Sequence, residues 1–366
     1  MTHTFFELFA GAGGMSLGLE TAGWHCAGHA EIEKFPRAVL AHRWPDTPLL
    51  GDVTQLTGEQ IGPVTLLSGG SPCQDLSIAG KRAGMTDGSG TRSSLFFEQM
   101  RLWHESHAPY CLWENVLGAF SSNHGRDFAA VLSAFIGTDL LADAAIHPDR
   151  TGKFRWKGAG VASGPTGVAA WRVLDAQYFG VPQSRRRVFV LGTRTGGVDP
   201  AEVLALSESV CGDSQTRRTT RQGTPDATPR RTYAIRGTIA AGRCAESGQQ
   251  YGRYKDAPRV ASTLRAQDHE SHVVVTNAMN GLKSRSAQTA ADGFITPSAG
   301  RPRRPTPLEC ERLMGWPDHH TLVPGASDSG RYKACGNGIA SPVAAWIGLR
   351  LREALAHHSS TPEALA

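Results

Sequence analysis

One cysteine in this chain stands where an apolar run breaks open into glycines. Val64-Thr65-Leu66-Leu67 reads as a buried strand, Gly69-Gly70-Ser71-Pro72-Cys73-Gln74 follows it, and a glycine-rich stretch from Gly80 to Gly90 comes next. A thiol at a strand end, beside a loop able to move, is a candidate nucleophile. Only a few per cent of an unperturbed thiol is thiolate near neutral pH, so it needs nearby positive charge or activation during attack. Glu114-Asn115-Val116 closes another apolar run, Tyr110-Cys111-Leu112-Trp113. A carboxyl group there is costly unless paired or protonated, which makes Glu114 a candidate acid or hydrogen-bond donor. A capping or hinge carboxylate is the structural alternative. Gln183-Ser184-Arg185-Arg186-Arg187 leads into the run Val188–Leu191. Alternate residues of an extended chain share a face, which groups Gln183, Arg185 and Arg187 and turns Arg186 away. One amide and two guanidiniums on a face suit an anion or the carbonyl edge of a base.

A second constellation lies near the N-terminus. The run Phe5-Phe6-Glu7-Leu8 enters Phe9-Ala10-Gly11-Ala12-Gly13-Gly14 before a helical stretch. Glycines at that junction allow a tight turn and close approach of backbone to a nucleotide-type ligand. Ser16 breaks the full dinucleotide fingerprint. Glu31, 20 residues after Gly11, ends the second apolar run, where a carboxylate could bind ribose hydroxyls. Asp52, in Gly51-Asp52-Val53, is a weaker candidate and also reads as an ordinary turn residue.

The elements that must position these groups alternate along the chain. Apolar runs at residues 5–9, 24–30, 64–67, 110–116, 171–176 and 187–192 are interleaved with helical stretches near 34–43, 94–107 and 126–135. That alternation predicts an α/β fold with a doubly wound, mostly parallel sheet, ligands lying at the carboxyl ends of the strands. Residues 137–167 turn Gly-, Pro- and Asp-rich around the basic aromatic island Phe154-Arg155-Trp156-Lys157, and read as a long surface insertion. From about Gly196 to Gly300 regular signals weaken, with short β-like runs at Tyr233–Ile235 and Val273–Thr276. Thr306-Pro307-Leu308-Glu309 reads as a capping box opening a short helix that Gly315 ends. A last helix from Ser341-Pro342 carries Val343, Ile347 and Leu351 on one side. The divisions expected are a first α/β domain at 1–194, a smaller irregular domain at 195–303, a return segment at 304–356, and a disordered tail at 357–366.

Composition narrows the function classes. With 366 residues the chain has room for two lobes. Seven scattered cysteines without a Cys-x-x-Cys pair argue against a disulfide framework and against a zinc cluster, so no metal is expected. Glu7 interrupts the N-terminal apolar residues and no apolar run approaches membrane-spanning length, so a cytoplasmic protein without a membrane partner is expected. The net charge of +5 is uneven: residues 181–310 carry 18 Arg and 2 Lys against 11 acidic residues, a local +9. Such a segment favours polyanions, because each neutralised phosphate releases counterions.

Taken in order, these motifs resemble the DNA cytosine-5 methyltransferases of bacterial or phage type over nearly the whole chain. The matching pieces are Phe9 to Gly14, Gly69 to Gln74, Glu114-Asn115-Val116, Gln183 to Arg187, Arg304-Pro305 with Glu309, Arg312 and Gly315, and Gly336-Asn337-Gly338, with a variable basic stretch between the fourth and fifth. The resemblance implies S-adenosylmethionine as cofactor, held by Phe9, Ala10, Gly11, Ala12, Gly13 and Gly14. Glu31 would lie on its ribose, Asp52 near its adenine and Asn337 on the cofactor side, with Ile32 and Val53 also among the residues binding it. It implies that Cys73 attacks carbon 6 of a cytosine flipped out of double-stranded DNA while Glu114 serves ring nitrogen 3. Gln183, Arg185 and Arg187 would hold the base and the catalytic groups. Base extrusion costs a few kcal/mol, so many phosphate contacts are needed meanwhile. The arginine-rich lobe would supply them and read base edges, with Arg236, Arg243, Arg253 and Arg265 as candidates and phosphate contact the simpler role of each.

The implied role is restriction-modification or phage and host DNA protection, by a monomer beside a separately acting restriction endonuclease. One alternative is a tRNA cytosine-5 methyltransferase, which shares the motifs; the long Arg-rich region favours DNA. Another is a catalytically inactive DNA-binding homologue, against which intact Cys73, Glu114 and Arg185 speak. Two departures from the family pattern are Ser184, where many relatives carry a basic residue, and Gly338, where serine is commoner.

Overall fold

The computed structural model describes residues 2–72, 95–142, 146–206, 274–276, 294–296 and 304–360. Its main sheet is built from β1 (Thr4–Leu8), β2 (His25–Ala30), β3 (Leu49–Leu50), β4 (Leu66–Gly69), β5 (Tyr110–Val116), β6 (Ala159–Gly164), β7 (Gly167–Asp175) and β8 (Arg186–Arg194). The spatial order is β3-β2-β1-β4-β5-β8-β7-β6. The first five strands are parallel; β8 runs antiparallel to β5, β7 to β8 and β6 to β7. A short separate ladder pairs β9 (Val274–Thr276) with β10 (Phe294–Thr296) in antiparallel register.

Strand alternation sorts the core into two layers. Phe5, Leu66, Leu112, Phe189 and Leu191 belong to one cluster, and Phe6, Leu67, Cys111, Trp113, Val188 and Val190 to the other. The described α-helices are α1 (Gly14–Thr21), α2 (Lys34–Arg43), α3 (Gly58–Ile61), α4 (Leu95–Ser106), α5 (Arg126–Ile136), α6 (Pro200–Leu204), α7 (Pro307–Leu313), α8 (Asp328–Asn337) and α9 (Ser341–Ser360). Helices α4 and α5 cover the second face through Phe96, Met100, Trp103, Phe128, Leu132 and Phe135. Helix α1 and the returning C-terminal helices cover the first through Met15, Leu19, Met314 and Val343, Ile347 and Leu351 of α9. Burying each such side chain contributes about 1.5–3 kcal/mol. Helices α1 and α9 approach so closely that a Cβ on Gly18 would lie 2.3 Å from the carbonyl of Ser341 and 2.6 Å from Cβ of Ala344.

Local signals explain several element ends. Thr306 caps α7 by accepting from the Glu309 amide while Glu309 returns a bond to the Thr306 amide, and Pro307 occupies the first turn. Glycines in the left-handed region flank α5, Gly125 at φ +86° and Gly137 at φ +72°. Two expectations change. The stretch read as a long surface insertion contributes to the sheet and core: Ala159–Gly164 forms the edge strand β6, and Phe154 before it is buried. Helix α9 continues to Ser360, past the His357 at which a tail was expected to begin. Residues 361–366 and Tyr233–Ile235 lie outside the described residues. None of the described helices is long and apolar enough to cross a membrane.

Candidate active site

The carboxyl ends of β1, β2, β4 and β5 meet where the strand order reverses, between β1 and β4, the place where open α/β sheets bind ligands. After β1 the chain turns through left-handed backbone at Phe9 (φ +53°), Gly11 (φ +55°) and Gly13 (φ +78°) before α1 begins. The glycines have different reasons. Gly11 has open space where a Cβ would stand, whereas a Cβ on Gly13 would lie 2.5 Å from the Trp44 ring and one on Gly14 2.5 Å from the Ile339 carbonyl. Gly11 therefore presents bare backbone to the cleft, and Gly13 and Gly14 let α2 and the returning C-terminal segment close on the loop.

Glu31, at the end of β2, anchors this loop. Its Oε2 accepts from the Gly11 amide at 2.8 Å, and its Oε1 accepts from the amides of Ile32 at 2.8 Å and Glu33 at 2.7 Å. Arg37 donates to the carbonyls of Glu31 (2.6 Å) and Leu50 (2.5 Å), joining the ends of β2 and β3. Ile32, beside this polar turn, is 66% exposed. Asp52 is exposed, its Oδ1 capping the turn through the Thr54 amide at 3.0 Å, with Val53 buried next to it. Open backbone, an exposed apolar side chain and the two carboxylates of Glu31 and Asp52 suit an adenosine-type ligand.

The glycine loop also has support that the sequence did not signal. Ser16 donates its amide to Glu7 Oε2 at 3.0 Å and its hydroxyl bonds the same carboxyl; His29 Nε2 lies 2.9 Å from that hydroxyl. Burial pushes Glu7 up to about 8 and His29 down to about 4. Ser16, which breaks the dinucleotide fingerprint, is thus the partner of a buried carboxyl beneath the loop. From the C-terminal segment, His320 Nε2 lies 2.6 Å from the Ala12 carbonyl.

At β5, Glu114 is 8% exposed and its Oε1 pairs with Arg187 Nε at 3.0 Å. The cross-strand register places Val116 opposite Arg187, so β8 delivers the guanidinium to the carboxyl. Burial raises the Glu114 carboxyl above its usual range, opposed by the charges of Arg187 and Arg185. The loop after β4 is fastened to the same place: Trp113 Nε1 donates to Ser71 Oγ and Asn115 Nδ2 to the Ser71 carbonyl, both at 3.0 Å. A Cβ on Gly70 would lie 2.9 Å from Glu114 Oε2. The chain is therefore pinned beside Glu114 two residues before Cys73, which itself lies outside the described residues.

Gln183, Arg185 and Arg187 all face the interior, as their alternation predicts. Gln183 Nε2 donates to the Leu313 carbonyl at 2.8 Å, and Arg185 Nη2 donates to the carbonyls of Gly336 (3.0 Å) and Gly338 (2.6 Å). These side chains tie β8 to the return segment. Gln183 Oε1 and Arg185 Nε and Nη1 are buried without a hydrogen-bond partner among the described residues. Burial, and secondarily Arg187, lowers Arg185 to about 9, so it keeps its charge at neutral pH. Ser184 bonds Asp175 at 3.2 Å, away from this face. Asn337 is exposed at the end of α8. Gly338 has a steric reason: a Cβ there would lie 2.4 Å from the Trp316 ring. The four arginine candidates Arg236, Arg243, Arg253 and Arg265 lie outside the described residues, and the described ones contain no cluster of three or more metal-ligating side chains.

A family described as C-5 cytosine-specific DNA methylase matches residues 3–353. The chain belongs to this family. Among its relatives, a type II methyltransferase of Haemophilus parahaemolyticus, M.HhaI, is 26% identical over 96% of this chain and 94% of its own length. A protein of Escherichia phage P1 named a DNA N-6-adenine-methyltransferase is 31% identical over 95% of this chain, which spans only 61% of that relative. The fold is similar to that of Spodoptera frugiperda DNMT2, with a TM-score of 0.51 at 16% identity over 96% of this chain and all of the other. Membership in a methylase family implies use of S-adenosylmethionine as methyl donor, and the open backbone at Gly11 with exposed Ile32 fits such a molecule.

Proposed function

We propose that this protein methylates carbon 5 of a cytosine within a specific sequence of double-stranded DNA, through a transient bond from Cys73. The observation that carries the proposal is Glu114: a carboxyl buried at a strand end, paired with Arg187, and fastened through Ser71 to the loop that leads into Cys73. The Phe9–Gly14 loop, Glu31, Ile32, Asp52, Val53 and Asn337 are the proposed cofactor contacts. S-adenosylmethionine, when bound, supplies a methyl group on a sulfonium. The chain's residues prepare the acceptor. A duplex base is out of a thiol's reach, so the target cytosine is turned out of the stack. The Cys73 thiolate then adds to carbon 6, and the displaced electron pair makes carbon 5 nucleophilic while Glu114 gives a proton or hydrogen bond to nitrogen 3. After methylation, a water-borne base takes the carbon 5 proton, the freed electron pair re-forms the 5,6 double bond and expels Cys73 as the thiolate, and nitrogen 3 gives back to Glu114 any proton it received. Arg187 orients Glu114, and Arg185 and Gln183 hold the base side of the cleft against the return segment.

The type II relatives support a role in DNA protection beside a separate endonuclease. Expression in a methylation-free bacterial host, followed by base-resolved mapping of both 5-methylcytosine and N6-methyladenine, tests the reading. One motif modified at a fixed cytosine is expected; N6-methyladenine without 5-methylcytosine would refute it.

A further inference from the structure

The segment before β6 has a construction that catalysis does not explain. Residues 146–158 carry Arg150, Lys153, Arg155 and Lys157 against the single carboxylate of Asp149. Burial alternates along it: Phe154 is 7% exposed and Trp156 is partly buried, while Lys153, Arg155 and Lys157 are exposed. An extended chain with that alternation presents two faces. The inner face is locked to the loop between β5 and α5. The Phe154 amide donates to the His124 carbonyl at 2.8 Å, and Trp156 Nε1 donates to the Gly125 carbonyl at 2.7 Å. Trp156 packs edge-on against Phe128 (5.0 Å) and Trp171 (5.8 Å), and the Arg126 guanidinium lies 5.3 Å over the Phe154 ring. Asp149 is consumed internally, accepting from Thr151 and Lys153 amides and from Arg155 Nε at 2.7 Å. The outer face is left with Lys153 and Lys157, whose side chains have no ion pair among the described residues, on either side of the Arg155–Asp149 pair, successive cations standing about 6.7 Å apart at strand spacing.

Sheet register fixes where this row stands. Glu114 pairs with Phe189, Phe189 with Arg172, and Arg172 with Ala159, the first residue of β6. Lys157 therefore leaves the sheet at the edge where Glu114 sits, three strands away, or about 14 Å at ordinary strand spacing. That is within the width of a duplex whose target base enters at Glu114.

We propose that Lys153, Arg155 and Lys157 form a ledge that grips the phosphate backbone of DNA flanking the target base, independently of the arginine-rich 195–303 region. The proposal rests on the DNA-methylating function. Phosphate contacts position a duplex without reading it, so the ledge adds affinity evenly across sequences. Equilibrium binding of the full-length K153A/K157A variant to cognate and unrelated duplexes across a salt series tests it. These two side chains make no hydrogen bond or ion pair among the described residues, so the fold should survive. Each lost phosphate contact flattens the slope of log K against log salt by about 0.9. The expected result is a slope flatter by nearly 2, weaker binding to both duplexes by a similar factor, and recovery in K153R/K157R. A slope equal to that of the unsubstituted protein, or weakening confined to the cognate duplex, overturns the ledge. A protein that binds DNA with the expected salt dependence yet transfers no methyl group would refute the proposed function instead.

Discussion

At Glu114 the competing costs can be ordered. Burial disfavours the carboxylate, and the Arg187 and Arg185 guanidiniums favour it; burial prevails, so the carboxyl lies above its usual range. A group in that state keeps a proton available at a higher pH than an exposed glutamate would. In the proposed reaction Cys73 loses its proton while Glu114 retains or shares one, so kcat should follow a bell-shaped pH profile. Glu114→Gln should lower kcat by about 10²–10⁴-fold and flatten the alkaline limb, which steady-state rates across pH 5.5–9.5 would reveal. Arg187→Ala removes the nearest opposing charge, so it should shift that limb to higher pH; a shift to lower pH would contradict the electrostatic account. The Glu114–Arg187 pairing was readable in the sequence as two motifs, but not as an ion pair. Only the register of β5 against β8 brings them together.

The same asymmetry governs legibility among elements. Helix α2 and strand β5 occupy the residues their patterns predict, because propensity, apolar spacing and tertiary burial agree there. Strand β6 was missed because Ala159-Gly160-Val161-Ala162-Ser163-Gly164 has neither apolar alternation nor β-branched density; it is an edge strand held by its ladder to β7 and by Trp171, whose ring fills the space over Gly160. The polar cluster under the glycine loop was also hidden, since Glu7 in a strand reads as an interruption until α1 lays Ser16 upon it. That cluster carries a pH signature. Glu7 rises from 4.5 to about 8 on burial, so its neutral form contributes stability that is complete below about pH 4.5 and disappears as pH rises through about 8. Glu7→Gln keeps an acceptor for Ser16 without the charge. Its Tm relative to the unsubstituted protein should therefore improve from pH 5 to pH 8, by the equivalent of a few kcal/mol at most. A gap independent of pH would place the Glu7 proton elsewhere.

For the whole molecule, the return segment 304–360 is what makes one body of distant parts. It supplies His320 to the Ala12 carbonyl, Ile339 and Trp316 against Gly14, the carbonyls that receive Arg185, and the apolar side of α9 that covers α1. The glycine loop proposed to hold the cofactor is thus closed by residues some 300 positions away, a closure that no local pattern announces. Replacing 207–303 by a flexible linker should leave S-adenosylmethionine affinity within about threefold by calorimetry, while removing preference for cognate over unrelated DNA. Loss of cofactor binding in that chain would mean that the cofactor-binding fold depends on the arginine-rich region.

The central claim is a bond between Cys73 and carbon 6 of cytosine. A duplex carrying 5-fluorocytosine at the mapped position cannot lose its carbon 5 substituent as a proton, so the adduct should accumulate. Incubated with S-adenosylmethionine, the protein should form a denaturant-stable complex whose mass is that of chain, DNA and one methyl group, absent in Cys73→Ser. Methylation of the ordinary duplex with no trapped complex on its fluorinated counterpart, or a complex that persists in Cys73→Ser, would contradict it.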